Sequence, residues 1–167
     1  MMRVPLTSSY RKLLMNLRQA FRASIWGPES VEAADDRLRF QLRVGLPVYD
    51  LLLITFGIFA AISGTPALKD TFGESYANSW GFLLAVAAAV ALLGVSFPSQ
   101  LWRVEFISKS LIIGLLVMYA GAVFVVGFFL SGDIGRAGVG FGVLAMAIPA
   151  VIRSADIIRD KELHGWN

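Results

Sequence analysis

Asp50 is the residue from which chemistry would start. It is the one acid read as lying near a long apolar run, in PVYDLLLITFGIF. An ionisable side chain within a membrane-crossing helix is by default a functional site. A single carboxylate in that setting carries protons or binds a cationic substrate, as in small multidrug transporters. Its place tempers this reading, because four residues past Leu46 puts it roughly 6 Å into the helix. Lys109 falls at a similar depth at the entrance to another apolar run, so Asp50 and Lys109 also form a candidate ion pair pinning two helices together.

Other chemistry is scarce. The 167 residues include no cysteine and one histidine, His164. Thiolate metal sites, iron–sulfur clusters, disulfides and cysteine nucleophiles are excluded, and a histidine-ligated metal is disfavoured. The acids Glu29, Glu32, Asp35 and Asp36 precede Arg37, Arg39 and Arg43. That order complements a helix dipole and reads as a solvated helix start, not a metal site. No nucleophile elbow, phosphate-binding loop or zinc-protease motif is present. The expectation is a non-enzymatic protein with no cofactor.

Small residues form a second pattern. Gly138 and Gly142 make a GxxxG pair, Gly81, Ala85 and Ala89 recur every four residues, and Gly57 stands four before Ala61. Such ridges let helix backbones approach closely within a bilayer, either inside one chain or between copies.

The elements that would carry these residues are transmembrane helices. The run 111–130, LIIGLLVMYAGAVFVVGFFL, has twenty residues and no charge. As a helix it spans about 30 Å, the thickness of a bilayer's hydrocarbon core. Further spans are expected at 46–63, opened by Pro47, at 80–97, closed by Pro98, and at 137–152, which contains Pro149. The composition agrees: 56% of residues are hydrophobic and only 16% are charged, where a soluble domain has about 25% charged. The loops 64–79 and 131–136 consist of turn formers. Residues 1–45, 46–152 and 153–167 thus divide into an amino-terminal region, an all-α four-helix transmembrane domain and a tail.

The amino-terminal region is expected to add one or two amphipathic helices. In the first, Tyr10, Leu14, Leu17, Phe21 and Ile25 share a face flanked by Arg11, Arg18 and Arg22, with Lys12 opposite. An apolar face beside basic residues suits a helix lying on anionic lipid headgroups, or docking on a protein partner. Eight Lys and Arg precede the first span, two lie between the second and third, and three follow the fourth; only Lys69 and Arg136 lie on the other side. The positive-inside rule then places both termini in the cytoplasm, the protein being a multi-pass protein of the inner membrane. Because the basic residues flank spans, lipid explains them and nucleic acid is not expected as a partner. Trp26, Trp80 and Trp102 fall near the span ends, as an aromatic belt would.

Between residues 47 and 119, the segments PVYDLLLITFGIFAAISGTP, FPSQLWRVEF and SLIIGLLVMYAGA resemble the small four-span membrane proteins encoded by phages of actinobacteria. Some of these lie near lysis genes and are regarded as holins or holin-like. The resemblance implies a protein of the host's cytoplasmic membrane and transfers no catalytic residue. The expectation that emerges is a membrane protein acting by helix packing and self-association as a homo-oligomer, holin-like in function. Two alternatives stand beside it: an accessory subunit docking a membrane or cytoplasmic partner through its basic amino-terminal region, and a small transporter using Asp50.

Overall fold

The computed structural model describes residues 40–164 together with Met15, Gln19 and Ser24. The expected amphipathic helices, and with them Arg11, Lys12, Arg18, Arg22 and Trp26, lie outside the described residues.

The described chain is all-α. A π-helical turn, Gln41–Gly45, runs without a break into α1, Leu46–Ser63. A short helix, α2, covers Pro66–Phe72, and α3 covers Glu74–Ser96. Next comes α4, Pro98–Phe124, which continues through a π-helical stretch, Val125–Leu130. The last helix, α5, is Ile134–His164. Four of these segments are long and apolar enough to cross a membrane: Gln41–Ser63, Glu74–Ser96, Gln100–Leu130 and Ile134–Arg159. This is the architecture of a multi-pass membrane protein.

All four spans begin earlier than hydropathy alone places them. The third reaches back beyond residue 111 to Pro98, because proline fits a helix's first turn, where its missing N–H has no partner to lose. A kink at Leu101 (φ −116°, ψ 20°) separates that opening turn from the straight span. The fourth runs on through Pro149 to His164. The segment 64–79, expected as a loop, is instead largely helical. Pro66 starts α2, and Gly64 and Gly73, with φ of 66° and 92°, turn the chain at its two ends. A positive φ costs glycine little and other residues more, which is why the turns fall there.

Sequential helices pack side by side, α1 on α3, α3 on α4 and α4 on α5. The core is made of Leu53, Ala60, Leu84, Ala87, Ala88, Ala91, Ile112, Leu116 and Ala147, with Leu68 of α2 added at one end. The alanines of α3 make it thin enough to be approached from both sides. Half of its apolar window is buried, against 28% for α5. The outward faces carry exposed Leu52, Phe59, Phe82, Phe129 and Phe141, the surface a helical bundle presents to lipid.

Trp80 corrects one expectation. It is not part of an interfacial belt but sits in the core, buried against Phe56 and Tyr119, with ring centroids 6.1 and 5.0 Å away. Its indole N–H donates to the Leu115 carbonyl at 3.2 Å. Buried tryptophan needs such a partner, and α4 supplies one.

Candidate functional site

Four charged side chains meet inside the bundle at the end where α1 and α4 begin. Asp50 of α1 and Lys109 of α4 are both 0% exposed, and the Lys109 ammonium donates to Asp50 Oδ1 at 2.5 Å. Each residue lies nine positions into its span, counted from Gln41 and Gln100. That is about 14 Å of helix, more than twice the depth expected when α1 was started at Leu46. The π-helical entry turn makes the difference, since it carries the helix one turn further out.

The second pair is Glu105 of α4 with Arg153 of α5. Both are buried, and the guanidinium is bidentate: Nε donates to Oε1 at 2.6 Å and Nη2 to Oε2 at 3.1 Å. This fork matches the planar guanidinium to the planar carboxylate and fixes direction as well as charge. Glu105 contradicts the reading of Asp50 as the one acid near a span. It stands one helical turn before Lys109, so both project from the same face of α4. The cluster therefore holds two acids and two bases.

Backbone packing explains why Glu105 can be there. Gly94 of α3 faces it so closely that a Cβ on Gly94 would lie 2.6 Å from the Glu105 Cβ. Only a glycine lets α3 and α4 meet at that level. Ser96 and Ser108, also buried nearby in sequence, add small polar side chains; Ser96 Oγ donates to the Leu92 carbonyl at 2.8 Å.

Tyr49 joins the cluster to α5. The Lys109 ammonium lies 5.1 Å from the centre of the Tyr49 ring, within cation–π range, and the Tyr49 hydroxyl donates to the Met146 carbonyl at 2.7 Å. These contacts matter because α1 is not among the helices closely packed on α4 or α5. Side chains bridge where backbones do not: Asp50 and Tyr49 from α1, Lys109 from α4, and the Phe56–Tyr119 ring pair at 6.3 Å further along. Asp50 Oδ2 is buried with no hydrogen-bond partner among the described residues.

The other residues singled out by sequence divide into two groups. Gly57 and Gly81 pack within the unit. A Cβ on Gly57 would lie 2.6 Å from the Ala85 nitrogen, and one on Gly81 would strike the backbone of Ala60 and Ala61. Gly57, Ala61, Gly81 and Ala85 thus form one seam between α1 and α3, with Ala89 half-buried one turn beyond. Gly138 and Gly142 do not pack inside the unit. Both are exposed, and none of the described residues lies within 4 Å of where a Cβ would stand on either. Gly140 between them is the residue that faces α4, against the Phe124 ring, and Gly127 meets Ala137 in the same interface. Gly114 and Gly121 of α4 are likewise exposed and open.

Set against known proteins, the chain matches no family model, no curated protein and no solved structure.

Proposed function

We propose that this protein works as a non-enzymatic integral membrane protein, a four-helix unit that self-associates in the bilayer and, in holin-like fashion, permeabilises it. The observation that carries the reading is the division of the glycines. Those at helix contacts, Gly57, Gly81, Gly94, Gly127 and Gly140, have neighbours where a Cβ would go, whereas Gly114, Gly121, Gly138 and Gly142 have none among the described residues. In a bilayer, small residues on an outward face are where a second helix approaches most closely, and dispersion and weak hydrogen bonds then hold it. The charged cluster suits this role as a clamp. It fixes α1, α4 and α5 together so that the unit associates as one body.

The orientation proposed is that of the positive-inside rule, with the charged cluster towards the cytoplasm and α2 outside. The resemblance to small phage membrane proteins supports the same reading, as does the expectation of an inner-membrane location. Transport through Asp50 is less well supported, because a cation binding there must first displace the Lys109 ammonium.

Two experiments test the proposal. Induced expression should abolish membrane potential abruptly and lead to timed lysis; harmless accumulation overturns the permeabilising role. Cross-linking in membranes should show oligomers that the double substitution Gly138→Ile and Gly142→Ile reduces. Unchanged cross-linking in that variant overturns the assignment of the open glycine face.

A further inference from the structure

The opposite end of the bundle contains a cleft that none of the above uses. It has a volume of about 210 Å³ and is open at one side. Pro66 of α2, Tyr119, Val123 and Val126 of the third span, and Arg136 and Val139 of α5 line it. The apolar residues make up its body; Arg136 and Tyr119 are its polar features. Val126 belongs to the π-helical stretch, a distortion that recurs at functional sites. Between the levels of Val126 and Tyr119 the cleft reaches about 10 Å along the helix axis.

We infer that this cleft binds an anionic phospholipid, with one stretch of acyl chain against the valines and the phosphodiester on the Arg136 guanidinium. Three observations lead there. The volume is below the roughly 300–1,000 Å³ of pockets that enclose a whole small molecule, so it accommodates part of a ligand whose remainder lies outside. Pro66 and Val139 are exposed, on a surface otherwise suited to lipid, so a molecule already in the bilayer reaches the cleft directly. Arg136 also has donors to spare. Its only ion pair among the described residues, to Asp133, is long at 3.9 Å, and both side chains are more than half exposed. A guanidinium has five N–H donors, and its fork fits two phosphate oxygens. The site needs the chain to span a membrane but does not depend on self-association.

The test uses the full-length protein in mild detergent, offered equimolar phosphatidylglycerol and phosphatidylcholine with the same acyl chains, and read by native mass spectrometry. The wild type should retain one phosphatidylglycerol with a preference of at least about fivefold, because phosphatidylcholine offers the same phosphodiester but brings its choline cation up beside the Arg136 guanidinium, a like-charge contact of roughly that size near a solvated surface. Arg136→Gln should bring that preference close to unity, and Arg136→Lys should keep part of it. Val139→Trp, at an exposed position that tolerates bulk, should lower retention of both lipids. With Arg11, Lys12, Arg18 and Arg22 replaced by Gln, which removes the amino-terminal basic residues as a second source of preference, Arg136→Gln should still abolish the preference that remains. Equal retention of the two lipids by the wild type, an undiminished preference in Arg136→Gln, or no effect of Arg136→Gln in that background would each overturn the assignment. So would displacement of the lipid by millimolar glycerol phosphate, which would make this a site for a free phosphate.

Discussion

Replacing Asp50 with Asn is the sharpest test of how the bundle is held. The side chain keeps its shape, but the Lys109 ammonium, 0% exposed and 2.5 Å from Asp50 Oδ1, loses its counter-charge. Two magnitudes compete. Were the contact merely one more interhelical hydrogen bond in a membrane, its loss would cost about 0.6 kcal/mol. Stripping one partner from a buried ion pair costs about 3–5 kcal/mol, since the survivor stays desolvated. At about 1.4 kcal/mol per factor of ten, the second figure lowers the folding equilibrium by a hundredfold to a few thousandfold. Titrating the protein in mild detergent with sodium dodecyl sulfate, and following helical circular dichroism, measures the difference. The double variant Asp50→Leu with Lys109→Met removes both charges and should recover to within about 1 kcal/mol of wild type. A single variant that loses less than about 1 kcal/mol would refute the clamp. So would a double variant no more stable than the single one.

Three further outcomes are expected. Arg153→Lys keeps the charge but not the two-pronged contact with Glu105 (2.6 and 3.1 Å), and should cost about 1–2 kcal/mol in the same titration. Gly57→Val places side-chain atoms where the Ala85 backbone already lies, and should destabilise by about 1–3 kcal/mol; Gly114→Ala, on an open face, should change stability by less than about 0.5 kcal/mol. Trp80→Phe leaves the ring contacts largely in place but removes the donor to the Leu115 carbonyl, so a loss of about 1 kcal/mol is expected, with a marked fall in the buried, blue-shifted part of the tryptophan fluorescence.

The spans were legible in the sequence because twenty uncharged residues in a row have no soluble explanation. The four-residue spacing of Gly57 with Ala61 and of Gly81 with Ala85 marked two small-residue ridges, but nothing in the spacing says that these two ridges meet each other. The second ion pair was not legible. Hydropathy starts the third span at residue 111, which leaves Glu105 in the apparent loop beside Arg103. The available signal was helical continuity. Pro98 opens a helix, and from there Glu105, Lys109, Ile112 and Leu116 fall on one face, two charges in line with two core residues. Helix α2 was hidden in the same way by turn-forming residues, although Pro66 between Gly64 and Gly73 marks a short helix with both ends defined. Trp80 misled because its place near a span end fits an interfacial belt as well as a core. Only the position of Leu115 across the bundle distinguishes the two.

The ion pairs also bear on how the protein is made. Fifty-nine residues of sequence separate Asp50 from Lys109, and forty-eight separate Glu105 from Arg153. A ribosome working from the amino terminus therefore delivers the first span with its acid unneutralised, and the third span with its glutamate still awaiting the fourth. A charge at the middle of an isolated helix raises the cost of insertion by about 2.5–3.5 kcal/mol. The first hairpin is thus poorly suited to leave the insertion machinery alone. Neutralising Asp50 has to wait for Lys109, and neutralising Glu105 for Arg153, so the order of synthesis sets the order in which the buried charges find their partners.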